Sequence, residues 1–264
     1  MSILESIALG IIQGITEFLP ISSSGHLILF QKIFGISEPQ LFFDTMVHLG
    51  TLFAVTVVMW QSIVAIFKDF FSKYTLYLIT AVIPAGAIGF FFQNFFEEHS
   101  FSGMLLGYEF LLTAFLLILS EIISARNRRK REMNMGIALF IGGMQALGIF
   151  GAVSRSGATI AGGLMSGIDR TKAATFSFLI SIPIILGSVL KQGYDVVTES
   201  GISNIDWLPV ILGTVCAAIS GYFAVKFMLA LISKKRLYGF AIYVAALGVF
   251  VLIDQYLLKV INWA

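Results

Sequence analysis

The chain has 264 residues, of which 58% are hydrophobic, 25 are Phe and only 12% are charged. A soluble domain carries about 25% charged residues, so this composition excludes a water-solvated globule and makes lipid a large part of the solvent. The net charge of +2 offers no basic field for nucleic acid, and the single cysteine, Cys216, allows no disulfide within the chain and reads as packing in an apolar run.

The opening "MSILES" lacks a basic stretch leading to a small-residue cleavage site, so no cleaved signal peptide is expected. Residues 3–36 are apolar but broken by Gly, Pro and three consecutive serines. Segments 41–60, 75–93 and 102–123 follow, each near the twenty apolar residues that a spanning helix needs. Residues 135–168 are again apolar and again broken, and 173–190, 208–230 and 237–258 are three further spans. The two broken regions each resemble a pair of half-helices around a polar middle. Irregular backbone at membrane depth survives only inside protein or beside a wet cavity, so both read as re-entrant hairpins. The expected fold is an all-α integral membrane protein, a single domain over 1–264 with six transmembrane helices and two re-entrant helical hairpins.

Lys and Arg mark the cytoplasmic side. With six spans, Lys68, Lys73, the five basic residues of "RNRRKR" at 126–131, Arg170, Lys172, Lys226 and "KKR" at 234–236 share one side, thirteen in all. Only Lys32, Lys191 and Lys259 fall on the other. The basic loops are therefore expected inside and both termini outside, with the basic run serving topology beside anionic lipid.

A shift of 132 residues lays "GIIQGITEFLPISSSGHLI" at 10–28 over "GGMQALGIFGAVSRSGATI" at 142–160 without a gap. Seven of nineteen positions agree: Gly10/Gly142, Gln13/Gln145, Phe18/Phe150, Ser22/Ser154, Ser24/Ser156, Gly25/Gly157 and Ile28/Ile160. Chance would give about one or two at average residue usage. Each copy precedes three spans, and an odd number per repeat inverts the second copy. The repeats are taken as 1–132 and 133–264. Inverted repeats bring their broken helices together near the midplane around a shared site.

The chemistry lies where the copies differ. Glu17 faces Ile149, Ser23 faces Arg155, and His26 faces Ala158. Intramembrane charge is costly and usually functional, and the Arg155 fork suits a phosphate or carboxylate, with an ion pair to Glu17 as the structural alternative. Ser23 beside a carboxylate and an imidazole fits an activated nucleophile. Glu17, four residues after Gln13 on one helix face, suits a base, and His26 an acid or phosphate ligand. Loop backbone N–H groups and half-helix N-termini would add an anion receptor; small residues that merely permit tight helix packing are the alternative. Asp44 and His48, an i,i+4 pair, fit a supporting or metal-holding role as well as a plain helix hydrogen bond. Glu109 and Asp254 read as interior-facing, Asp169-Arg170 as the cap ending the second hairpin, and Trp60 and Trp207 as interfacial.

"QGITEFLPISSSGHLIL" and "SRSGATIAGG" resemble the two signature segments of the undecaprenyl-diphosphate phosphatase family, also called bacitracin-resistance proteins, and "FFDTMVHLGTLFAV" and "IPAGAIGFFF" resemble its intervening spans. The resemblance implies removal of the terminal phosphate from a polyprenyl diphosphate in the bacterial inner membrane, recycling the lipid carrier of cell-wall synthesis. It places the [E/Q]-x-x-x-E element on Gln13 and Glu17, the serine segment on Ser22, Ser23 and Ser24 beside Gly25, and the histidine on His26. The second motif falls on Ser154, Arg155, Ser156 and Thr159, with Gly157 between them, and Gly151-Ala152 stands where Pro-Gly is usual. Ser23, Glu17, His26 and Arg155 are thereby expected to be catalytic, and the others to bind substrate. The resemblance also implies help from a divalent cation, Mg²⁺ or Ca²⁺, and leaves room for a homodimer. A polyprenyl-phosphate flippase or an anion transporter is the rival reading of the same repeat architecture.

Overall fold

The computed structural model describes residues 1–36, 40–100, 103–127, 130–148, 151–195, 198 and 205–263, with backbone alone for 92–100. Arg128, Arg129, Ile149 and Phe150, which figure in the sequence reading, lie outside the described residues. Eleven α-helices follow in order: α1 Ile3–Phe18, α2 Ser23–Ile33, α3 Leu41–Val58, α4 Trp60–Lys68, α5 Lys73–Ser100, α6 Leu106–Arg126, α7 Met135–Leu147, α8 Arg155–Met165, α9 Arg170–Asp195, α10 Trp207–Ile232 and α11 Tyr238–Ile253. There is no strand among the described residues.

Among the described residues, six helices are long and apolar enough to cross a membrane: Leu41–Val58, Lys73–Phe91, Leu106–Arg126, Arg170–Asp195, Trp207–Ile232 and Tyr238–Leu258. They coincide with the six segments read from hydropathy. The broken regions become the short pairs α1–α2 and α7–α8, whose members pack on each other. At 11 to 16 residues, each member spans about 16–24 Å at 1.5 Å per residue, short of a hydrocarbon core of about 30 Å.

Local sequence sets these boundaries. Ser2 caps α1 in a reciprocal box with Glu5, and Asn134 caps α7 by accepting from the Ile137 N–H. Pro20, which favours extended backbone in the residue before it, closes α1. Ser22 then caps α2 by accepting from Gly25, and Ser154 caps α8 by accepting from Gly157.

The packing repeats with the halves exchanged. Helix α1 packs on α10, and α7 on α5; α3 packs on α10, and α9 on α5. Helices α3 and α9 meet each other, as do α6 and α11. A Cβ added to Gly10 would lie 2.2 Å from the Gly213 carbonyl oxygen, and one added to Gly142 would lie 2.6 Å from the Ala81 carbonyl oxygen. Residues 81 and 213 are themselves 132 apart. In lipid, where little hydrophobic force draws helices together, such close backbone contact is a main source of attraction.

Away from the short pairs, Arg170 joins three elements. It forks onto Glu121 of α6 and donates to the carbonyls of Ile232 and Lys235, while the Leu237 N–H donates to Glu121. Asp169 accepts from the Thr171 N–H at the start of α9 and pairs with Lys130. Asp254, 1% exposed, accepts from the N–H groups of Val260 and Ile261 and from Trp263 Nε1, pinning the chain after α11. Trp60 and Trp207 are exposed, as an interfacial position requires.

Candidate active site

The loops after α1 and α7 are tied by two reciprocal hydrogen bonds. Ser24 Oγ donates to the Gly151 carbonyl at 3.0 Å, and Ser156 Oγ donates to the Leu19 carbonyl, also at 3.0 Å. Adding 132 to 24 and 19 gives 156 and 151, so the two bonds are copies of each other. The glycines interlock likewise: a Cβ on Gly25 would meet Ala152 at 2.9 Å, and one on Gly157 would meet Pro20 at 3.4 Å. The conserved serines and glycines of the repeat therefore cap the half-helices and bind the loops together.

What lies between them faces a cavity of about 860 Å³. Ser23 and Arg155, the first residues of α2 and α8, line it together with Glu17, Ser22, Ser24, Ser154 and Ser156. Two half-helix N-termini thus open on one space, where backbone N–H groups favour an anion. Among the described residues Glu17 is the one carboxylate on the cavity wall, and its side chain is 4% exposed. Its Oε1 pairs with Arg155 Nη2. Its Oε2 accepts from Ser23 Oγ at 2.5 Å and from Gln13 Nε2 at 2.9 Å. One carboxylate therefore orients both the serine and the guanidinium.

His26 lies behind the cavity wall. It is 2% exposed and is not among the residues lining the cavity. Its Nδ1 lies 2.6 Å from the Ser22 carbonyl and its Nε2 lies 2.8 Å from Tyr243 Oη. A carbonyl only accepts, so Nδ1 carries the proton and Nε2 takes the tyrosine hydroxyl hydrogen. Ser22 has φ of +72°, a conformation costing a serine about 1–3 kcal/mol. His26 thus holds this strained residue, and through it the direction of Ser23.

Thr159, expected to bind substrate, is 1% exposed and hydrogen-bonds to Ser177 Oγ at 2.6 Å and to the Arg155 carbonyl at 2.9 Å, so it braces α8. Gln13, Gly25 and Gly157 also lie behind the cavity wall, where Gln13 positions Glu17. Gly151 has φ of +45°, which proline cannot adopt, and a Cβ there would fall 2.1 Å from Glu109 Oε1. The loop is therefore built around glycine at this position, with Glu109 in the space a side chain would take.

Several lining residues were not assigned to the site from the sequence. Gln145 is fully buried, donates to the Ala81 carbonyl and leaves its Oε1 without a partner. Lys191 and Gln192 of α9 line the far end, and Gly86, Gly89, Pro183 and Gly187 line a flank between α5 and α9. A Cβ on Gly86 or Gly187 would meet nothing within 4 Å. His48 of α3 also reaches the wall, with Nε2 3.6 Å from Glu17 Oε2.

Three relatives match along nearly their whole lengths. An undecaprenyl-diphosphatase of Carboxydothermus hydrogenoformans is 44% identical over 97% of this chain and 98% of its own. One of Halothermothrix orenii is 42% identical over 96% and 98%, and one of Bacteroides fragilis 40% identical over 93% and 95%. The family model described as bacitracin resistance protein BacA matches residues 6–250, and with the two signature loops joined around one cavity the chain belongs to that family.

Proposed function

We infer that this multi-pass membrane protein is an undecaprenyl-diphosphate phosphatase of the bacterial inner membrane, releasing inorganic phosphate and the lipid monophosphate that re-enters cell-wall synthesis. The observation that carries the chemistry is the shared Glu17 carboxylate, with Arg155 on one oxygen and Ser23 on the other. Arg155 has five N–H donors and spends one on Glu17, so others remain for the terminal phosphate. The N-termini of α2 and α8 add backbone donors. Ser23 Oγ attacks the terminal phosphorus while Glu17 Oε2 takes its proton. The bridging P–O bond breaks, and the lipid monophosphate leaves with the electron pair. Once Glu17 has released that proton, water attacks the phosphoserine with Glu17 again as base, the Oγ–P bond breaks, inorganic phosphate leaves and Glu17 returns a proton to Ser23 Oγ. Preorganised positive charge around the transferring phosphoryl group supplies the largest share of the acceleration. The apolar flank between α5 and α9 accommodates the isoprenyl tail.

The repeat supports an inverted topology in which the α1–α2 hairpin enters from outside and the α7–α8 hairpin from the cytoplasm. Lys191 at the cavity's far end sits on the sparsely charged outer side, so the site opens outward. Both loops come from one chain, and nothing in the site calls for a second copy. Among the described residues the donor set does not build a cation cage: Glu17 is the only carboxylate they place on the wall and both its oxygens are engaged. No step here runs through Mg²⁺ or Ca²⁺, and a cation carried by the diphosphate itself fits this wall better than one held by protein.

Phosphate release from a polyprenyl diphosphate by purified protein, with and without Mg²⁺ or Ca²⁺, tests the activity. Ser23→Ala and Glu17→Gln are expected to abolish release while binding remains measurable. Wild-type release by both variants would overturn the nucleophile and base assignments and favour transport of an anionic lipid.

A further inference from the structure

Removing the Ser23 proton leaves a problem that Glu17 cannot solve alone. A proton kept on Oε2 neutralises the carboxylate and strands the Arg155 guanidinium, 15% exposed, without its counter-charge. The proton must move on, and one side chain faces that oxygen with a lone pair to offer.

His48 sits midway along α3 with its Nδ1 2.6 Å from the Asp44 carbonyl, one turn earlier on the same helix. The carbonyl can only accept, so Nδ1 carries the hydrogen and Nε2 presents its lone pair. That Nε2 lies 3.6 Å from Glu17 Oε2, the same oxygen that holds the Ser23 hydroxyl. The His48 side chain is 30% exposed and lines both the main cavity and a smaller one of about 160 Å³ beside it. It can therefore exchange a proton with water, which Glu17, at 4%, cannot readily do.

We propose that His48 is the proton carrier of the site, taking the Ser23 proton from Glu17 Oε2 and passing it to water in the cavity. The proposal rests on the Ser23–Glu17 chemistry above. In the first half-reaction the Ser23 O–H proton moves to Oε2 as the Oγ–P bond forms and the bridging P–O bond breaks. It then moves to His48 Nε2, giving an imidazolium whose Nδ1–H stays on Asp44, and restores the Glu17–Arg155 pair. In the second half-reaction the attacking water gives a proton to the freed Oε2 as the new O–P bond forms and the Oγ–P bond breaks, and Oε2 returns a proton to Ser23 Oγ, restoring the hydroxyl.

The groups around the ring agree with a carrier. Helix α1 brings Glu17, and α8 brings Arg155, already paired with it. Helix α9 brings Lys191 to the cavity wall, while Asp44 on α3 itself accepts from Gln31 Nε2 at 2.8 Å. Helix α10, on the other side of α3, meets it near Gly50 through Thr214, Ala217 and Ala218 rather than a charge. His48 acts through Glu17, so it is a positioning residue for the proton and not a nucleophile.

The test compares His48→Gln and His48→Ala with the native protein in detergent, measuring kcat and KM for a polyprenyl diphosphate across pH. Thermal unfolding checks that each variant is folded. We expect kcat to fall about a hundredfold or more, the low end for a positioned proton-transfer group, with KM changed less than about twofold. The fall in kcat on the acid side, where protonated His48 cannot accept, is expected to disappear in His48→Gln. Added imidazole is expected to restore part of the rate in His48→Ala. A folded His48→Gln with native kcat and native acid limb would overturn the proposal, as would an equal loss at every pH with no imidazole response. Native release by Ser23→Ala in the same assay would instead remove the Ser23–Glu17 chemistry beneath it.

Discussion

Replacing Arg155 with lysine keeps the charge and removes the fork, which separates geometry from electrostatics at the centre of the site. The guanidinium begins α8 and is tied to Glu17, whose carboxylate is 4% exposed. A lysine ammonium can satisfy Glu17 or reach a phosphate, but it cannot present two parallel donors to the phosphate while holding the carboxylate. Losing one charge-assisted contact costs about 1.5–3 kcal/mol. At about 1.4 kcal/mol per factor of ten, kcat/KM should fall roughly tenfold to 150-fold. Arg155→Ala goes further, because it leaves a buried carboxylate unpaired at about 3–5 kcal/mol of stability. The paired variant Glu17→Gln with Arg155→Gln should recover most of that stability, since no buried charge remains, and none of the activity. The assay is phosphate release in detergent beside thermal unfolding of the same preparations. A folded Arg155→Lys with near-native kcat/KM would refute the phosphate-fork assignment, and a double variant no more stable than Arg155→Ala would refute the ion-pair account.

Gly151→Pro, which introduces the residue usual at this position in the family pattern, should damage this protein because φ is +45° there; Gly151→Ala should lose stability as well, since its Cβ meets Glu109 Oε1. Both are read by thermal unfolding and phosphate release, and native values for Gly151→Pro would show that the loop tolerates another path. Gly10→Val should destabilise by at least about 1–3 kcal/mol, the usual cost of overpacking, because the Gly213 backbone cannot withdraw; Gly143→Ala, with open space around it, is the control and should match the native melting temperature. On a Cys216→Ser background, cysteines replacing Lys32 and Glu132 should react with an impermeant thiol reagent from opposite sides, Lys32→Cys from outside. Labelling of both from one side would break the inverted topology.

The spans were legible because lipid imposes a length and composition that few other environments demand. The loops were legible for a different reason: backbone that turns inside a membrane needs caps and small residues, and evolution wrote them twice. Other features depend on contacts that no local pattern encodes. His48 approaches Glu17 only because α3 packs on α1, and the Gly151 turn makes sense only once Glu109 of α6 fills the space beside it. Lys191 looked like one of three outer-side charges until α9 placed it on the cavity wall. His26 shows the opposite case. Its position beside the serines suggested chemistry, yet its Nδ1 is engaged by the Ser22 carbonyl and its Nε2 by the Tyr243 hydroxyl.

The repeat also accounts for which positions had to diverge. Ser22/Ser154, Ser24/Ser156 and Gly25/Gly157 point at their own helix or at the opposite loop, where identical residues serve equally well in either copy. Positions 23 and 155 instead send their side chains to the two oxygens of Glu17 on the shared cavity, where the proposed reaction brings both copies to one phosphate. Two arginines there would crowd two guanidiniums against the single Glu17 carboxylate, and no hydroxyl would be left to attack. Two serines would leave the diphosphate without a fork and Glu17 without its counter-charge. A site made from two copies around one substrate can stay symmetric in its scaffold, but one copy must bring the nucleophile and the other the cation. Glu17 opposite Ile149 follows the same logic, because a second carboxylate beside the first would repel both its partner and the anionic substrate.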